Sequence, residues 1–203
     1  MMIQQLFNMV WTLCVGKLLL NDVSHMLDGP SCPQGEPDRI VKVGPNPTAS
    51  FYRSMTGKVF VRDGKRIWFS IQPLDKLEEI RRSGMRPEEI DPSIVEFVGV
   101  DFGILLSDTV AALDGFIEGP TLLDQEEARR RYEAGEGFAI FEVEIDEHTP
   151  VTPVPHPYYP DSPPIAYLSF EPIPPEHIRL IDVATYYIME DGETIGVKWS
   201  SFG

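Results

Sequence analysis

The sequence predicts an α+β fold, with short helices early and mostly antiparallel strands late in the chain. Helical periodicity with start and stop residues occurs at 73–84 and at 124–135. Residues 137–146 follow the two-residue period of a β-strand. Asp-Gly pairs at 63–64 and 191–192 lie between β-rich runs and predict hairpins. Helices and strands that are separated along the chain in this way are typical of the α+β class.

Length and composition predict one domain with an N-terminal appendage. The chain has 203 residues, 42% of them hydrophobic, so it can bury an ordinary core without a metal or disulfide. We assign residues 27–203 to a single α+β domain and residues 1–26 to an apolar, amphipathic helical appendage. Polar residues interrupt the appendage, which therefore matches neither a secretory signal nor a membrane span. We favour a helix that packs on the domain. The alternatives are a helix that binds a partner, or upstream sequence with translation initiating at Met26.

The chain is strongly acidic. Its 17 Lys and Arg against 32 Asp and Glu give a formal net charge of −15. Because a phosphate backbone binds clustered cations, this charge opposes direct binding to a nucleic-acid backbone and to an anionic membrane. We expect a soluble acidic protein with no membrane partner; a surface that mimics nucleic acid is the alternative. Cys14 and Cys32 form no CxxC motif and fit a reducing, cytoplasmic location, and the scattered histidines predict no metal site.

The first half of the domain is predicted to be loop, then strands, then a helix. Residues 27–50 are rich in Pro and Gly, with at most a brief strand at 40–43. The run SFYRSM, residues 50–55, is predicted to be a short strand. The hairpin that follows is expected to end at Phe69-Ser70. The next helix has a proline in its first turn and ends at a glycine.

Two further helices have recognisable N-terminal signals. A buried strand at 102–106 leads to a helix with Ser107 or Asp108 as its N-cap. The next helix opens at Asp124, which forms a capping box with Glu127. This helix carries three consecutive arginines, and the glutamates four residues before two of them predict a solvated, self-paired face.

The last third of the domain is predicted to be strands around a proline-rich loop. Residues 149–164 contain seven prolines and cannot form a central strand. This loop is either a polyproline-type ligand or a stiff flap over a site. A strand, a Pro-Pro turn, another strand and the second hairpin follow.

Three segments, taken in order between residues 51 and 183, resemble the ADP-ribosyltransferases. WFSIQPLDKLEEIRRSGMRP resembles a strand that feeds a helix ending in Ser-Gly, and GILLSDTVAALDGF resembles the strand-Ser-helix that follows it. FAIFEVEIDEHTP with AYLSFEPIPPEHIRLIDV resembles the late strands. The resemblance implies a split, two-sheet, mostly antiparallel scaffold with two to four short helices, and a groove between the sheets that binds NAD.

The resemblance also implies where NAD would bind. Arg53 stands where one branch of the family has the arginine that anchors the phosphates, and Ser107 stands for the serine of that branch. The branch with a His-Tyr-Glu set has its histidine where Phe69 and Ser70 lie here, so no histidine matches. We expect the serines to position the ribose. The rings that could stack on a base of NAD are those of Phe51, Tyr52, Trp68 and Phe69. Ordinary structural roles are the alternative for each residue.

The catalytic glutamate of the family has no exact counterpart. The turn IPPEHI places the expected position at Tyr167 or Ser169, and the nearest carboxylate is Glu171. Strand alternation puts Tyr167, Ser169 and Glu171 on one face. We therefore predict Glu171 as the catalytic residue, displaced along the strand, with Tyr167 among the cofactor-binding residues.

Two functions follow from the resemblance. The first is an NAD-dependent mono-ADP-ribosyltransferase, toxin- or phage-type, that modifies a protein or nucleic-acid target. The second is a non-catalytic acidic binding protein on the same scaffold, an interaction or inhibitor module. The absent histidine and displaced glutamate favour the second, whereas the strand-Ser-helix at Ser107 and the proline-rich flap favour the first.

Overall fold

A computed structural model describes residues 39–90, 99–146, 148–155, 164 and 166–202. The predicted appendage at 1–26 and the middle of the proline-rich loop lie outside these residues. The predicted α+β class is confirmed, because the described residues form two mostly antiparallel sheets with short helices. The strands are β1 Ile40–Lys42, β2 Val59–Arg62, β3 Lys65–Pro73, β4 Glu88–Glu89, β5 Phe102–Leu106, β6 Gly137–Asp146, β7 Thr152–Val154, β8 Ala166–Ser169, β9 Ile178–Ile188 and β10 Ile195–Ser201. The α-helices are α1 Ala49–Ser54, α2 Leu77–Ser83, α3 Val110–Leu123 and α4 Gln125–Glu133.

The two sheets differ in size. The large sheet has the strand order β1-β2-β3-β6-β9-β10, and the small sheet has the order β4-β5-β8-β7. Every pairing is antiparallel except that of β1 with β2. In the small sheet β7 contains Pro153 and pairs only with β8, which agrees with the expectation that a proline-rich segment stays at a sheet edge.

Both predicted hairpins are confirmed. Asp63 and Gly64 have φ of 49° and 81°, so both central residues of the β2–β3 turn are left-handed, as a two-residue turn of this kind requires. Gly192, with φ of 74°, lies in the connection between β9 and β10.

Two local predictions near the start of the domain are wrong. Residues 50–55 are not a strand, since helix α1 covers Ala49–Ser54 and the Thr48 side chain accepts a hydrogen bond from Phe51 N at its start. Burial of the Tyr52 side chain at the helix's inner face outweighs the β propensity of these residues. Nor does the next strand end at Phe69-Ser70. β3 continues to Pro73 because it pairs with β6 along its whole length.

The remaining helix predictions are mostly confirmed. A 3₁₀ turn at Leu74–Lys76 leads into α2, and Gly84 follows it with φ of 77°. Asp124 caps α4 by accepting a hydrogen bond from Glu127 N at 3.1 Å. The N-cap of α3 is Thr109 and not Ser107 or Asp108, because the Thr109 hydroxyl accepts the hydrogen bond from Ala111 N.

The arginines of α4 are self-paired, but they are not all solvated. Arg130 and Arg131 both bind the Glu127 carboxylate, with closest distances of 2.6 and 2.9 Å. Arg131 is only 3% exposed and also donates to the Tyr186 hydroxyl at 2.9 Å. The prediction of a solvated face therefore holds for Arg130 and fails for Arg131.

Two hydrophobic cores cover the two faces of the large sheet. One core contains buried side chains of α1, α3 and α4 together with Phe69 and Ile140 of the sheet. The other contains Ile80 of α2, Trp68 and Phe141. Both cores reach the small sheet. Residues of β6 are consequently buried on both faces, as expected for a central strand. In the described part of the chain, no helix is both long and apolar enough to cross a membrane.

Replacing Gly84 with alanine is expected to destabilise the fold. A Cβ at Gly84 would collide with the Ile173 carbonyl oxygen and lie 3.0 Å from Pro174 Cα, where Met85 and Ile173 exchange two backbone hydrogen bonds. Gly135→Ala is the matched control, because Gly135 also has a positive φ, of 67°, but open space around its Cα. Denaturant unfolding should show a loss of about 1–2 kcal/mol for Gly135→Ala. Gly84→Ala should lose roughly a further 1–3 kcal/mol for overpacking; equal losses would contradict the close contact.

Candidate functional site

Phe69 of β3 and Ser107 just after β5 join the two sheets through their backbones. Phe69 N donates to Ser107 O at 2.8 Å, and Ser107 N donates to Phe69 O at 2.7 Å. β5 in turn pairs with β8, with Leu106 opposite Tyr167. The three strands β3, β5 and β8 thus meet at one place, which we call the sheet junction and define by Phe69, Ser70, Ser107 and Tyr167.

The serine hydroxyls at and near the sheet junction are already hydrogen-bonded within the protein. Ser70 Oγ donates to Leu105 O at 2.9 Å, and Ser107 Oγ donates to Thr109 O at 2.9 Å. Both serines are buried. Either hydroxyl would have to exchange its backbone partner, or use its remaining lone pair, to contact a ribose.

The rings of Tyr52 and Phe69 are core residues. They pack edge to face with centroids 4.7 Å apart, and neither is more than 1% exposed. The Tyr52 hydroxyl donates to the buried carboxylate of Glu142. Burial, reinforced by this hydrogen bond, raises the pKa of Tyr52 well above its usual range. Neither ring offers an open face on which a base could stack.

Glu142 is the centre of a buried ionic network that sequence reasoning missed. Besides Tyr52, its carboxylate binds Arg62 Nη1 and Arg179 Nη2, each at 2.5 Å. The two arginines also donate to the carbonyl oxygens of Gly44 and Pro47, each at 2.7 Å. The network therefore fixes the segment before α1 on the large sheet. In the sequence Glu142 shows only strand alternation, which does not distinguish a buried glutamate from an exposed one.

Arg53 lies on helix α1, not on a strand, and it is engaged by two carboxylates. Its guanidinium binds Asp114 of α3 through Nε at 2.6 Å and Nη2 at 2.8 Å. Its Nη1 binds Asp182 of β9 at 2.8 Å. The hydrogen bonds to Asp114 raise the pKa of Arg53 further above its usual value. With Trp199 beneath it at 4.9 Å, Arg53 connects α1 to α3 and the large sheet.

Glu171 is exposed and lies beyond the end of β8. The strand ends at Ser169, whose hydroxyl accepts a hydrogen bond from Glu171 N at 3.3 Å and donates to Glu171 O at 3.1 Å. The strand alternation that would align Glu171 with Tyr167 therefore does not reach Glu171. Within the described ranges, its carboxylate forms neither a hydrogen bond nor an ion pair.

A cationic and aromatic cluster borders the sheet junction on the face that carries Trp68. We call Arg66, Trp68, Asp108 and Tyr167 the Arg66 cluster. The Arg66 guanidinium carbon lies 3.7 Å from the Trp68 ring centroid, and the rings of Trp68 and Tyr167 are 4.6 Å apart. Arg66 and Trp68 share a face because they are two residues apart on β3.

The Arg66 cluster is electrostatically unusual. Desolvation by burial lowers the pKa of Arg66 and raises the pKa of the Tyr167 hydroxyl. Asp108, just after Ser107, interacts electrostatically with both groups. Of these residues Tyr167 and Trp68 were predicted for the site, and Arg66 and Asp108 were not. The period-two pattern of RIWFS was the signal that could have added Arg66.

Among the described residues, no group of three or more His, Cys, Asp or Glu side chains is arranged to hold a metal ion. The candidate groups are the hydroxyls at the sheet junction, the Arg66 cluster and the exposed carboxylate of Glu171. A stacked cation beside a tyrosine can bind an anion, and an exposed carboxylate can stabilise positive charge or accept a proton.

Tyr52→Phe is expected to destabilise the protein by about 1–3 kcal/mol, because a buried charged acceptor loses a hydrogen-bond donor. Tyr187→Phe is the control, since Tyr187 is 41% exposed and should cost less than about 0.5 kcal/mol. Urea unfolding of both variants measures the difference. Similar midpoints for the two variants would show that the Tyr52–Glu142 hydrogen bond does not stabilise the fold.

Comparison of the chain with protein-family models and with curated proteins gives no match. The resemblance to ADP-ribosyltransferases thus rests on the three quoted segments. Those segments supply β3, β5 and β8, the strands that meet at the sheet junction.

Proposed function

We propose that this protein is an NAD-dependent mono-ADP-ribosyltransferase of the two-sheet type. The meeting of β3, β5 and β8 supports the proposal, because the segments that resemble the family are far apart in sequence and adjacent in the fold. Hydrogen bonds between Phe69 and Ser107 place the two sheets edge to edge, and NAD would bind beside this junction.

Transfer requires cleavage of the bond between nicotinamide and the ribose carbon. Nicotinamide leaves with the bonding electron pair, so positive charge develops on the sugar, and a nucleophile of the target then bonds to the same carbon and loses a proton. A carboxylate near that carbon stabilises the charge and can accept the proton. Glu171 takes this role in the proposal, because its carboxylate is exposed and forms no ion pair with a described residue.

The other residues proposed to contact NAD differ in how far the structure leaves them accessible. Ser70 and Ser107 lie at the sheet junction but are only 0% and 4% exposed, so the proposed ribose contact requires their remaining lone pairs to become accessible. Tyr167 lies beside them on β8. Arg53 is held by Asp114 and Asp182, so its contacts favour a structural role over an anchor for the diphosphate.

A non-catalytic acidic binding protein on the same scaffold is the second candidate. Two observations favour it: the junction serines are satisfied by backbone carbonyls, and Glu171 follows a turn that takes it off β8. The absence of a histidine at Phe69-Ser70 agrees with both observations. In this function the chain would recognise its partner without turning over NAD.

Release of nicotinamide from NAD should separate the two candidates. If Glu171 stabilises the developing charge, Glu171→Gln should lower the rate by about 100-fold or more. Glu176→Gln is the matched control, because Glu176 is also exposed and lies in the neighbouring 3₁₀ turn Pro175–His177. If wild type and both variants release nicotinamide only at the background rate, in the presence of candidate protein and nucleic-acid targets, the transferase is excluded. The binding protein is then the remaining candidate.

Binding of NAD can be measured independently of turnover. A ligand that binds only the folded state raises the unfolding temperature with its concentration, by mass action. A concentration-dependent rise without nicotinamide release would indicate a non-catalytic NAD-binding protein. An unchanged unfolding temperature at millimolar NAD would argue against both turnover and binding of this cofactor.

A further inference from the structure

We propose that Arg66 is an anion-binding residue, and that the Arg66 cluster takes a phosphate group of a small-molecule ligand. The inference rests on the proposed function in one respect, because NAD supplies a diphosphate beside the sheet junction. It assigns the anion contact to a residue on β3, in place of Arg53 on α1.

Arg66 differs from most arginines of the described fold in having no carboxylate partner. Ion pairs within 4.0 Å hold the guanidinium groups of Arg53, Arg62, Arg81, Arg130, Arg131 and Arg179. Arg66 forms no such pair with a described residue, and its Nε is buried without a hydrogen-bond partner there. A desolvated guanidinium with an unmade hydrogen bond is unfavourable, and binding of an anion would relieve that cost.

Two rings hold the cation in place. Arg66 Cζ lies over Trp68 at 3.7 Å from its centroid and 5.9 Å from that of Tyr167. Cation–π contact with the buried Trp68 limits the conformations of a long side chain before any ligand arrives. Less conformational entropy is then lost on binding. Phosphate suits such a site, because guanidinium donors match its oxygens in a bidentate arrangement.

Asp108 supplies the opposing charge. It is exposed, follows the junction residue Ser107, and interacts electrostatically with Arg66 without forming an ion pair within 4.0 Å. Its negative charge would repel an arriving phosphate. Removing that charge should therefore tighten binding, which gives a test that leaves Arg66 itself intact.

The experiment measures binding of inorganic pyrophosphate and of ADP-ribose by calorimetry at 0.15 M salt. Arg66→Gln should weaken both by about 10- to 100-fold, the loss expected for charge-assisted hydrogen bonds. Arg66→Lys keeps the positive charge but lacks the planar guanidinium that binds phosphate through two donors. Its affinity should lie between those of wild type and Arg66→Gln. Asp108→Asn should tighten binding by about two- to fivefold. Arg82→Gln, at an exposed position of α2, is the control for net charge and should change affinity less than about twofold.

The outcomes separate this inference from the proposed function. Pyrophosphate binding that depends on Arg66, in a protein that releases no nicotinamide, would support the anion site and count against the transferase. Nicotinamide release whose KM for NAD is unchanged in Arg66→Gln would overturn the anion site alone. Equal losses in Arg66→Gln and Arg82→Gln, or no tightening in Asp108→Asn, would also overturn it. Unfolding curves identify any variant that fails to fold. If Arg66→Gln does not fold, the affinity change in Asp108→Asn tests the anion site instead.

Discussion

The two backbone hydrogen bonds between Phe69 and Ser107 are the constraint on which the arrangement of the sheets depends. They are the point where a strand of the small sheet pairs with the large sheet. Both residues are buried, so leaving these donors and acceptors unpaired would cost far more than the modest net gain of each bond. These two hydrogen bonds also determine which side chains pack next to each other at the sheet junction. The tilted rings of Trp68 and Tyr167 pack together beside it, and Tyr52 packs against the Phe69 ring from α1.

Ionic contacts explain how an acidic chain keeps α1 on the large sheet. Tyr52 and Arg53 are adjacent in α1, and each reaches a different buried carboxylate, Glu142 on β6 and Asp182 on β9. A buried carboxylate is tolerated only when donors surround it, and Glu142 receives them from Tyr52, Arg62 and Arg179. Arg53, Arg62 and Arg179 are thus engaged inside the fold by the buried carboxylates of Asp182 and Glu142.

Signals that act over a few residues made much of the fold predictable. The Asp63-Gly64 turn and the Asp124 cap both depend on backbone conformations that their own residues favour. Helix α1 was missed because its stability comes from remote contacts, above all the burial of Tyr52 against Glu142, 90 residues away. The candidate site was predictable only in outline. Ser70, Ser107 and Tyr167 lie at the sheet junction as expected. The partners of Arg53, and the contact of the Tyr167 ring with Trp68, depend on long-range packing that local patterns do not determine.

The turn after β8 determines where the carboxylate of Glu171 lies relative to the sheet junction. Ser169 accepts a hydrogen bond from Glu171 N and donates one to Glu171 O, and these two contacts replace the next rung of the strand ladder. Pro172 follows and lacks the N–H that a continuing strand would need. The strand therefore ends at Ser169, two residues before Glu171, and Glu171 does not continue the alternation that places Tyr167 beside Trp68. A transferase built this way must bring the sugar outward to Glu171, while a binding protein needs no such carboxylate. The two proposed functions therefore differ in whether a bound sugar has to reach Glu171 beyond the end of β8.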